Sequence, residues 1–266
     1  MRYGSLILTL FLISILAFLD SCKKQANTFH QKPVADSSHF SITNASPAIS
    51  NLQFYLNSQL FPLPDSPISY GKTVYASYIR NATTYFPDTA LLPYINIPSG
   101  YQQIAFGSYG SRDLFSVLNN KFEVDNSYSF FVTDTIHHGQ ITTVLLEDHI
   151  AITDSNTCQI RFLNLSPDAP SLDVWAYPNA GYDAYKIFSN CAYVPNDYNS
   201  FINAESFSVI PAGPYYFEAT VSGTSQVVLG GLLVIPPNNV VTIYSKGYIS
   251  GKGHNAIDVG VIEYKP

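Results

Sequence analysis

Apolar and polar residues alternate in short runs along most of the chain, and glycine, proline, asparagine and aspartate separate the runs. A period of two residues is typical of β-strands that bury one face. Beyond the N-terminal segment, no stretch keeps a helical period of about 3.6 residues over three turns. The pattern therefore predicts an all-β protein, with clear strands at residues 101–106, 127–133, 141–147, 215–221, 240–245 and 256–264.

The first 22 residues follow a different pattern, because residues 6–19 carry no charge and are nearly all apolar. A membrane-spanning helix needs about 20 apolar residues. The shorter run, after a start that contains Arg2, is typical of a signal peptide, with a short uncleaved anchor helix as the alternative. Residues 19–22 (LDSC) resemble the lipobox of bacterial lipoproteins. That resemblance implies a lipoprotein signal peptide at residues 1–21 and a diacylglycerol, with acyl chains such as palmitate, on Cys22.

Residues 22–37 are expected to form the lipidated cysteine and a flexible tether, because they are polar and show no periodicity. Surface lipoproteins of the Bacteroidetes type often carry a lysine followed by acidic residues soon after the cysteine. Lys23 and Lys24 are similar to the first part of that pattern, whereas the first acidic residue here is Asp36. Two acyl chains give stable membrane attachment where a single chain gives marginal binding. We therefore expect a protein anchored by lipid in the outer membrane, on its cell-surface or its periplasmic face.

The rest of the chain contains an internal repeat. Residues 40–57 (FSITNASPAISNLQFYLN) align without gaps with residues 160–177 (IRFLNLSPDAPSLDVWAY), and both stretches contain an Asn-x-Ser-Pro turn. A second match pairs residues 94–100 with residues 207–213. The two matches are shifted by 120 and 113 residues, and similarity in the same order with small changes of spacing indicates a duplicated structural unit with loops of different length. The repeat therefore predicts two tandem domains.

Two motifs of the second half carry a resemblance to a known family, namely residues 166–174 (SPDAPSLDV) and residues 207–213 (FSVIPAG). They are similar to secreted bacterial immunoglobulin-like domains of unknown function, which occur in tandem on Bacteroidetes lipoproteins. The resemblance implies a fold and a location, and it brings no activity with it. We expect two antiparallel immunoglobulin-like β-sandwich domains, residues 38–151 and 158–266, with a hinge near residues 152–157.

Charge and motif content narrow the range of functions. Only 12% of the residues are charged, and 13 lysines and arginines leave a formal net charge of -6. A nucleic-acid binder needs a basic surface that displaces counterions, so nucleic acid is not an expected partner. The sequence contains no H-E-x-x-H, G-x-S-x-G, Walker or dinucleotide-binding motif. We predict no catalytic residue and no cofactor, although glycosidase carboxylates have no local signature and a secreted hydrolase stays a minor alternative.

Two groups of residues raise the question of a metal site. Asp168 and Asp173 supply only two carboxylates, whereas calcium takes six or more oxygen ligands. His137, His138 and the acidic stretch at residues 147–149 are at the two ends of a predicted hairpin, and neighbouring strand residues point to opposite faces. Zinc needs three or four converging ligands. We therefore predict turn and surface roles for both groups, and no metal.

Aromatic residues are crowded between the two family motifs, and four of them are candidates for ligand binding: Trp175, Tyr177, Tyr182 and Tyr185. Exposed rings beside polar groups suit a glycan, because the apolar face of a sugar packs on a ring while its hydroxyls need hydrogen-bonding partners. The alternative is that these rings fill the core of the sandwich.

Two further cysteines, Cys158 and Cys191, lie in the second half, and an exported chain permits their oxidation. Spacing alone leaves open whether they form a disulfide or stay as separate thiols. Taken together, the sequence predicts a lipid-anchored envelope protein that acts as a non-catalytic binding or adhesion module for glycan or protein. The alternative is a structural spacer or assembly factor without a small ligand.

Overall fold

The computed structural model describes ten segments of the chain: residues 36–63, 67–73, 77–78, 89–92, 94–111, 113–134, 141–151, 155–178, 183–196 and 206–264. Cys22, Tyr182, His137, His138 and most of the predicted tether lie outside these described residues. The strands belong to one compact unit, Pro33–Pro266. Among the residues that the structure describes, no helix is long and apolar enough to span a membrane.

Nineteen β-strands and two short 3-10 turns account for the regular structure of the described segments. The 3-10 turns are Val194–Asn196 and Gly253–Asn255. The strands are β1 Ser37–Asn44, β2 Asn51–Leu56, β3 Gln59–Leu60, β4 Ile68–Ser69, β5 Ser77–Tyr78, β6 Thr89–Leu92, β7 Ile95–Pro98, β8 Gly100–Ser108, β9 Leu114–Phe122, β10 Ser127–Asp134, β11 Ile141–Glu147, β12 Thr157–Asn164, β13 Leu172–Pro178, β14 Tyr185–Cys191, β15 Ser208–Pro211, β16 Gly213–Val221, β17 Val227–Ile235, β18 Val240–Lys246 and β19 Asp258–Tyr264.

The strands form four sheets that make two β-sandwiches. Sheet A has the order β11-β10-β1-β7, and sheet B has the order β3-β2-β8-β9. Sheet C has the order β15-β12-β18-β19-β6-β5, and sheet D has the order β14-β13-β16-β17. A core of inward-facing residues such as Phe40, Phe54 and Phe130 joins A to B, and a second core that includes Ile160, Val174 and Phe217 joins C to D. The predicted all-β sandwich fold is confirmed.

The two halves repeat the same strand order. In each half the first strand pairs in parallel with a strand near the end of that half, as β1 pairs with β10 and β12 pairs with β18. The other pairs within each repeat are antiparallel, including the predicted hairpin of β10 and β11. A parallel pair needs a long connection, and here the chain passes through the opposite sheet between the two strands. The structure thus adds a parallel pair to each predicted sandwich.

Sheets A and C also pack against each other, which produces a four-layer stack in the order B, A, C, D. The strands β10, β12 and β18 are buried on both faces. One face of each strand contributes to its own sandwich, and the other contributes to a third core between A and C. In addition, the backbone of β6, from the first half, pairs in parallel with β19 of the second half. The division near residues 152–157 stays a prediction, since residues 152–154 lie outside the described segments.

A buried ion pair lies at the centre of the A–C interface. Arg161 Nη1 of β12 is 2.6 Å from Asp148 Oδ1, which follows β11, and the two side chains are 1% and 0% exposed. Arg161 Nε also donates to Thr242 Oγ1 at 2.8 Å. Burial is the largest single influence on the pKa of Arg161 and opposes its positive charge, but the attraction of Asp148 together with the effects of Tyr264 and Tyr94 outweighs it, and the guanidinium pKa is raised. The pair therefore joins the two halves through charge.

Hydroxyl groups complete the coordination of this ion pair. Asp148 Oδ2 accepts hydrogen bonds from Ser129 Oγ at 2.7 Å and from the Tyr94 hydroxyl at 2.9 Å. The rings of Tyr94 and Tyr264 stack with centroids 5.4 Å apart, one from each half. Buried charges are stable only when charge partners and hydrogen bonds replace the lost water. The interface meets that requirement with residues from both halves.

A second polar contact and a glycine fix the approach of the two halves. Asp134, at the end of β10, accepts hydrogen bonds from the hydroxyls of Ser46 and Tyr248. The ring of Tyr244, which packs against Phe131 of the first half, lies over Gly260. A Cβ at position 260 would be 2.1 Å from that ring, so glycine is required for the ring to reach the interface.

We predict that Asp148→Ala lowers the free energy of unfolding by about 3–5 kcal/mol, because it leaves the Arg161 guanidinium buried without its carboxylate. Urea unfolding of the full-length chain measures the loss. The double variant Asp148→Leu/Arg161→Met should recover most of it, since both charges are then removed.

Glu147→Ala is the matched control for this experiment, because Glu147 is the neighbouring carboxylate and is more exposed. We expect it to cost less than about 1 kcal/mol. Equal losses for Glu147→Ala and Asp148→Ala would contradict the role of the buried pair.

Candidate binding surface

Two of the candidate ring residues lie on the outer face of sheet D. Within β13, Leu172, Val174 and Ala176 are buried in the sandwich core, whereas Trp175 and Tyr177 are half-buried on the opposite side. This placement follows from the alternation of side chains along a strand. The outer positions of β13 are paired with outer positions of β16, so neighbours across the strands complete the surface.

Tyr177 forms the centre of what we call the ring surface, defined by Tyr177, Tyr216 and Glu218. Tyr177 and Tyr216 are directly opposite each other on β13 and β16, with ring centroids 6.0 Å apart and an interplanar angle of 62°. The Tyr177 hydroxyl donates to Glu218 Oε2 at 2.8 Å, and this bond raises the tyrosine pKa. Tyr216 stays 37% exposed. Two oriented rings and a carboxylate are therefore open to solvent together.

Trp175 has more local partners than its neighbours. Its indole Nε1 donates to Thr220 Oγ1 at 3.2 Å, and the ammonium of Lys186 lies 4.9 Å from the ring centroid. A lysine over an aromatic face is a cation–π contact that covers that face. Trp175 therefore supports the surface, while Tyr177 and Tyr216 present their rings to solvent.

Asp173 ties together three parts of sheet D. Its carboxylate accepts hydrogen bonds from Lys186 Nζ at 2.6 Å, from the Asn190 amide at 2.8 Å and from Ser222 Oγ at 2.9 Å. The Lys186 contact is the main reason that the pKa of Asp173 is well below its usual range, and it outweighs the opposing effect of burial. Asp173 thus joins β13 to β14 and to the turn after β16.

Asp168 has a similar structural role at the end of the second half. It accepts hydrogen bonds from the backbone amides of Ile249 and Ser250, at 2.7 and 3.0 Å, and from the Ser250 hydroxyl. The described residues contain no group of three or more histidine, cysteine or acidic side chains that could hold a metal ion. The two aspartates therefore act within the fold.

Tyr185 lies apart from the ring surface, at the edge strand β14. It is 38% exposed and lines a groove of about 410 Å³ beside the Ile-Pro-Ala-Gly turn. The groove is also lined by Pro178, Val209, Pro211 and Pro214. The fourth candidate, Tyr182, lies outside the described residues.

The Asn-x-Ser-Pro repeat proves to be a turn that connects the two sheets of each sandwich. Asn44 Nδ2 donates to the Ile49 carbonyl at 2.8 Å and to the Ile68 carbonyl at 3.2 Å. Asn164 Nδ2 makes the equivalent bonds to the carbonyls of Pro170 and Cys191. Asparagine side chains commonly satisfy backbone groups of turns in this way. The motif is explained by the fold.

A family model described as "Domain of unknown function (DUF4397)" matches residues 38–175, just over half of the chain. The chain belongs to this family. No functionally curated protein matches it.

Several solved structures are similar to this DUF4397 chain, all at low identity. The Bacillus anthracis TIE protein is 12% identical with a TM-score of 0.23, over 78% of this chain and 33% of that one, so the chain spans about a third of it. A streptococcal virulence factor, whose structure is described as "Alpha-glucan binding by a streptococcal virulence factor", is 7% identical. The match covers 78% of this chain and 92% of that one, with a TM-score of 0.22. A leucine-rich repeat protein from Bacteroides thetaiotaomicron is 8% identical. The match covers 78% of this chain and 26% of that one, with a TM-score of 0.20. TM-scores this low do not establish a shared fold.

Both described cysteines of the DUF4397 chain are free thiols. Cys158 is buried in β12 and donates to the Pro211 carbonyl, while Cys191 lies at the end of β14. Burial raises the pKa of Cys158 to about 11 and that of Cys191 to about 12. The sequence left open whether these cysteines form a disulfide or stay as separate thiols, and in the structure they are separate thiols.

The side chains of residues 147–149, at the end of β11, have separate surroundings among the described residues. Asp148 is committed to Arg161, while Glu147 and His149 are near the surface, with His149 Nδ1 3.9 Å from Glu147 Oε1. His137 and His138 lie outside the described residues.

The sequence pattern identified Trp175, Tyr177 and Tyr185 but missed Tyr216, Glu218 and Lys186. These three residues lie in β14 and β16 and meet β13 only through sheet pairing. The alternation within residues 213–221 was the available signal, because it places positions 216 and 218 on one face. The register that brings them beside Tyr177 is a tertiary property.

Asp173→Asn should reduce stability by about 2 kcal/mol near neutral pH, since hydrogen bonds to a charged group are lost. Because the pKa of Asp173 is depressed in the folded state, its contribution is complete above the unfolded value of about 3.9. It is lost as the pH falls from there through the lower folded value. Thermal unfolding of wild type and variant should therefore converge in acid.

Asp113→Asn is the control, because Asp113 is an exposed carboxylate outside sheet D. Its unfolding curve should follow wild type across the same pH range. A difference in unfolding temperature between Asp173→Asn and wild type that stayed constant down to acid pH would refute the assigned role.

Proposed function

We propose that this protein is a non-catalytic binding module of the cell envelope, attached to the outer membrane through lipid on Cys22. The ligand that we propose is a glycan. The observation that carries the proposal is the ring surface of sheet D, where Tyr177 and Tyr216 are oriented by neighbours, with Tyr177 half-buried and Tyr216 37% exposed.

The chemistry of the ring surface suits a sugar. Aromatic side chains bury large apolar areas in specific orientations and keep a polar group at one edge. The hydroxyl of Tyr177 and the carboxylate of Glu218 are already linked, so a bound sugar would find a hydrogen-bond acceptor beside the rings. A binding site typically combines aromatic walls with a few placed polar groups.

Preorganisation further supports binding at this surface. Tyr177 is held by Glu218 and by contact with Tyr216, and Gly230 of β17 leaves space under the Tyr216 hydroxyl. A Cβ at position 230 would be 3.0 Å from that hydroxyl oxygen. Side chains that are fixed before binding lose less conformational freedom when a ligand arrives.

The matching outer face of the first half has a different character. Tyr55 takes the position of Trp175, and Gln53 takes that of Asp173, with the Tyr55 hydroxyl 3.1 Å from Gln53 Oε1. Tyr101 is 82% exposed on β8 and has no ring partner among the described residues. We therefore assign the glycan to the second half.

The membrane attachment rests on the sequence. An uncharged run of suitable length precedes the lipobox-like stretch at residues 19–22, and a polar tether follows it. Lipid attachment would position the two sandwiches beyond a flexible segment, which suits a protein that binds material outside the membrane.

A spacer function is the second candidate, favoured by the buried A–C interface. The Arg161–Asp148 pair joins the halves, which suits a stiff element in an envelope assembly. A spacer would need no ligand at the ring surface, so binding experiments separate the two proposals.

Replacement of either exposed ring should weaken glycan binding. We expect Tyr177→Ala and Tyr216→Ala to reduce the affinity for a glycan found on an array by about tenfold or more, because ring truncation at a binding centre is costly. Calorimetry with the full-length chain measures the change. Tyr177→Phe should keep most of the affinity, because the ring remains.

Tyr101→Ala is the matched control, since it removes a highly exposed tyrosine from the other sandwich. Its affinity should equal that of wild type. An array without any bound glycan, or equal losses for Tyr101→Ala and Tyr216→Ala, would favour the spacer function.

The proposed anchor predicts that cells fed labelled palmitate incorporate it into the wild-type chain and that Cys22→Ala abolishes incorporation, because the acyl chains depend on that sulfur. Cys191→Ala is the control and should keep the label. If the wild-type chain took up no labelled palmitate and still associated with membranes, lipid would be excluded as the anchor.

A further inference from the structure

The strand β17 forms a long apolar edge of sheet D. Residues 227–235 (VVLGGLLVI) contain no charged or hydrogen-bonding side chain over nine positions. In the described part of the chain, β17 pairs on one side with β16 and ends the sheet on the other. Such an edge presents unpaired backbone groups that can accept another strand.

Other sheet edges in the described segments carry features that discourage pairing. The equivalent strand β9 contains Lys121, and Ser116 Oγ lies 3.1 Å from Thr143 Oγ1 of β11, which closes part of that edge. The opposite edge of sheet D, β14, carries Lys186 and two shifts in register. Edge charges and bulges commonly prevent association. β17 therefore differs from its counterparts.

Two side chains of β17 are also open to solvent, while Leu233 and Ile235 belong to the core. Val227 is 51% exposed and Val234 is 38% exposed. A shift in register between β16 and β17 lies near Val227, so the regular part of the edge runs from Leu229 onwards. An aliphatic surface of this kind gains stability when it is covered.

The order of residues in β17 makes the strand complementary to itself. In an antiparallel pair centred on Gly231, Leu229 lies opposite Leu233 and Gly230 lies opposite Leu232. Gly231 lies opposite its own copy, so every facing pair from Leu229 to Leu233 is aliphatic or glycine. A two-fold interface requires this kind of self-complementarity, and aliphatic cross-strand pairs stabilise a sheet.

We propose that two copies of this chain associate through antiparallel pairing of their β17 strands. The two copies of sheet D then form one continuous sheet of eight strands, because each contributes four. The uncharged edge matters because the chain has a net charge of -6, so association through a charged surface would be opposed.

The dimer has a consequence for the ring surface. With the two-fold axis perpendicular to the sheet, both outer faces point in the same direction. Three strand spacings separate β16 from its copy, so the two Tyr216 rings lie about 14 Å apart across the strands. The association does not depend on the glycan proposal, but it would present two ring surfaces to one ligand chain.

The test is the concentration dependence of the molar mass, measured by sedimentation of the full-length chain in density-matched detergent. We expect a monomer–dimer equilibrium. Val227→Lys/Val234→Lys should weaken it by about tenfold or more, because four ammonium groups of like charge would then lie along the two paired edges.

Leu114→Lys/Val117→Lys is the matched control, with the same added charge at exposed apolar positions of the edge strand β9. It should dimerise as wild type does. A wild-type chain that stayed monomeric up to millimolar concentration would overturn the proposal, as would a dimer that survived lysines in β17 or was lost with lysines in β9.

Hydrogen exchange of residues 227–235 gives a second readout that does not rely on a variant. Amides at the free edge should exchange quickly in dilute protein and become protected as the concentration rises. Exchange that is independent of concentration while dimers form would place the interface elsewhere and overturn the proposal. Near-ultraviolet circular dichroism of both double variants should match wild type, which establishes that they fold.

Discussion

The structure depends on a charge pair that neither half can satisfy alone. Arg161 belongs to the second half and Asp148 to the first, and their side chains are enclosed between sheets A and C. Withdrawing either from water is costly, and the cost is offset only when both are present with their hydroxyl partners. The ion pair therefore fixes how the halves meet, and an arrangement that separated them would leave each charge buried or force it back into water.

This constraint explains why the inner strands contain polar residues that are buried. Ser41, Ser129 and Thr242 alternate with apolar residues, yet all three are fully buried. Ser41 donates to Ser129, and Ser129 in turn donates to Asp148, so the small hydroxyls form a polar layer around the ion pair. The few charged residues of the chain are thus used partly inside the protein. The outer faces of sheets B and D are consequently rich in tyrosine, amide and aliphatic groups.

The sequence predicts the strands well because alternation and turn residues are local properties. The strand at residues 141–147 agrees at both ends with β11, and the internal repeat corresponds to a repeated strand order. Alternation alone indicates one buried face, so it does not distinguish a solvent-facing serine from one enclosed by a second sheet. The pairing of β6 with β19 and the free state of Cys158 and Cys191 depend on how sheets are placed, which no local pattern contains.

At the candidate site, too, the local sequence pattern does not show which rings are exposed. Crowding along the chain makes Trp175 one of four candidates, but Lys186 covers its ring and Thr220 accepts its indole hydrogen. Tyr216, which lies forty residues further on, is the ring that remains exposed beside Tyr177. The ring surface is therefore a product of the register between β13 and β16. Asp173 bonds both to β14 and to the turn after β16, so a carboxylate with a structural role holds together the strands that carry these rings.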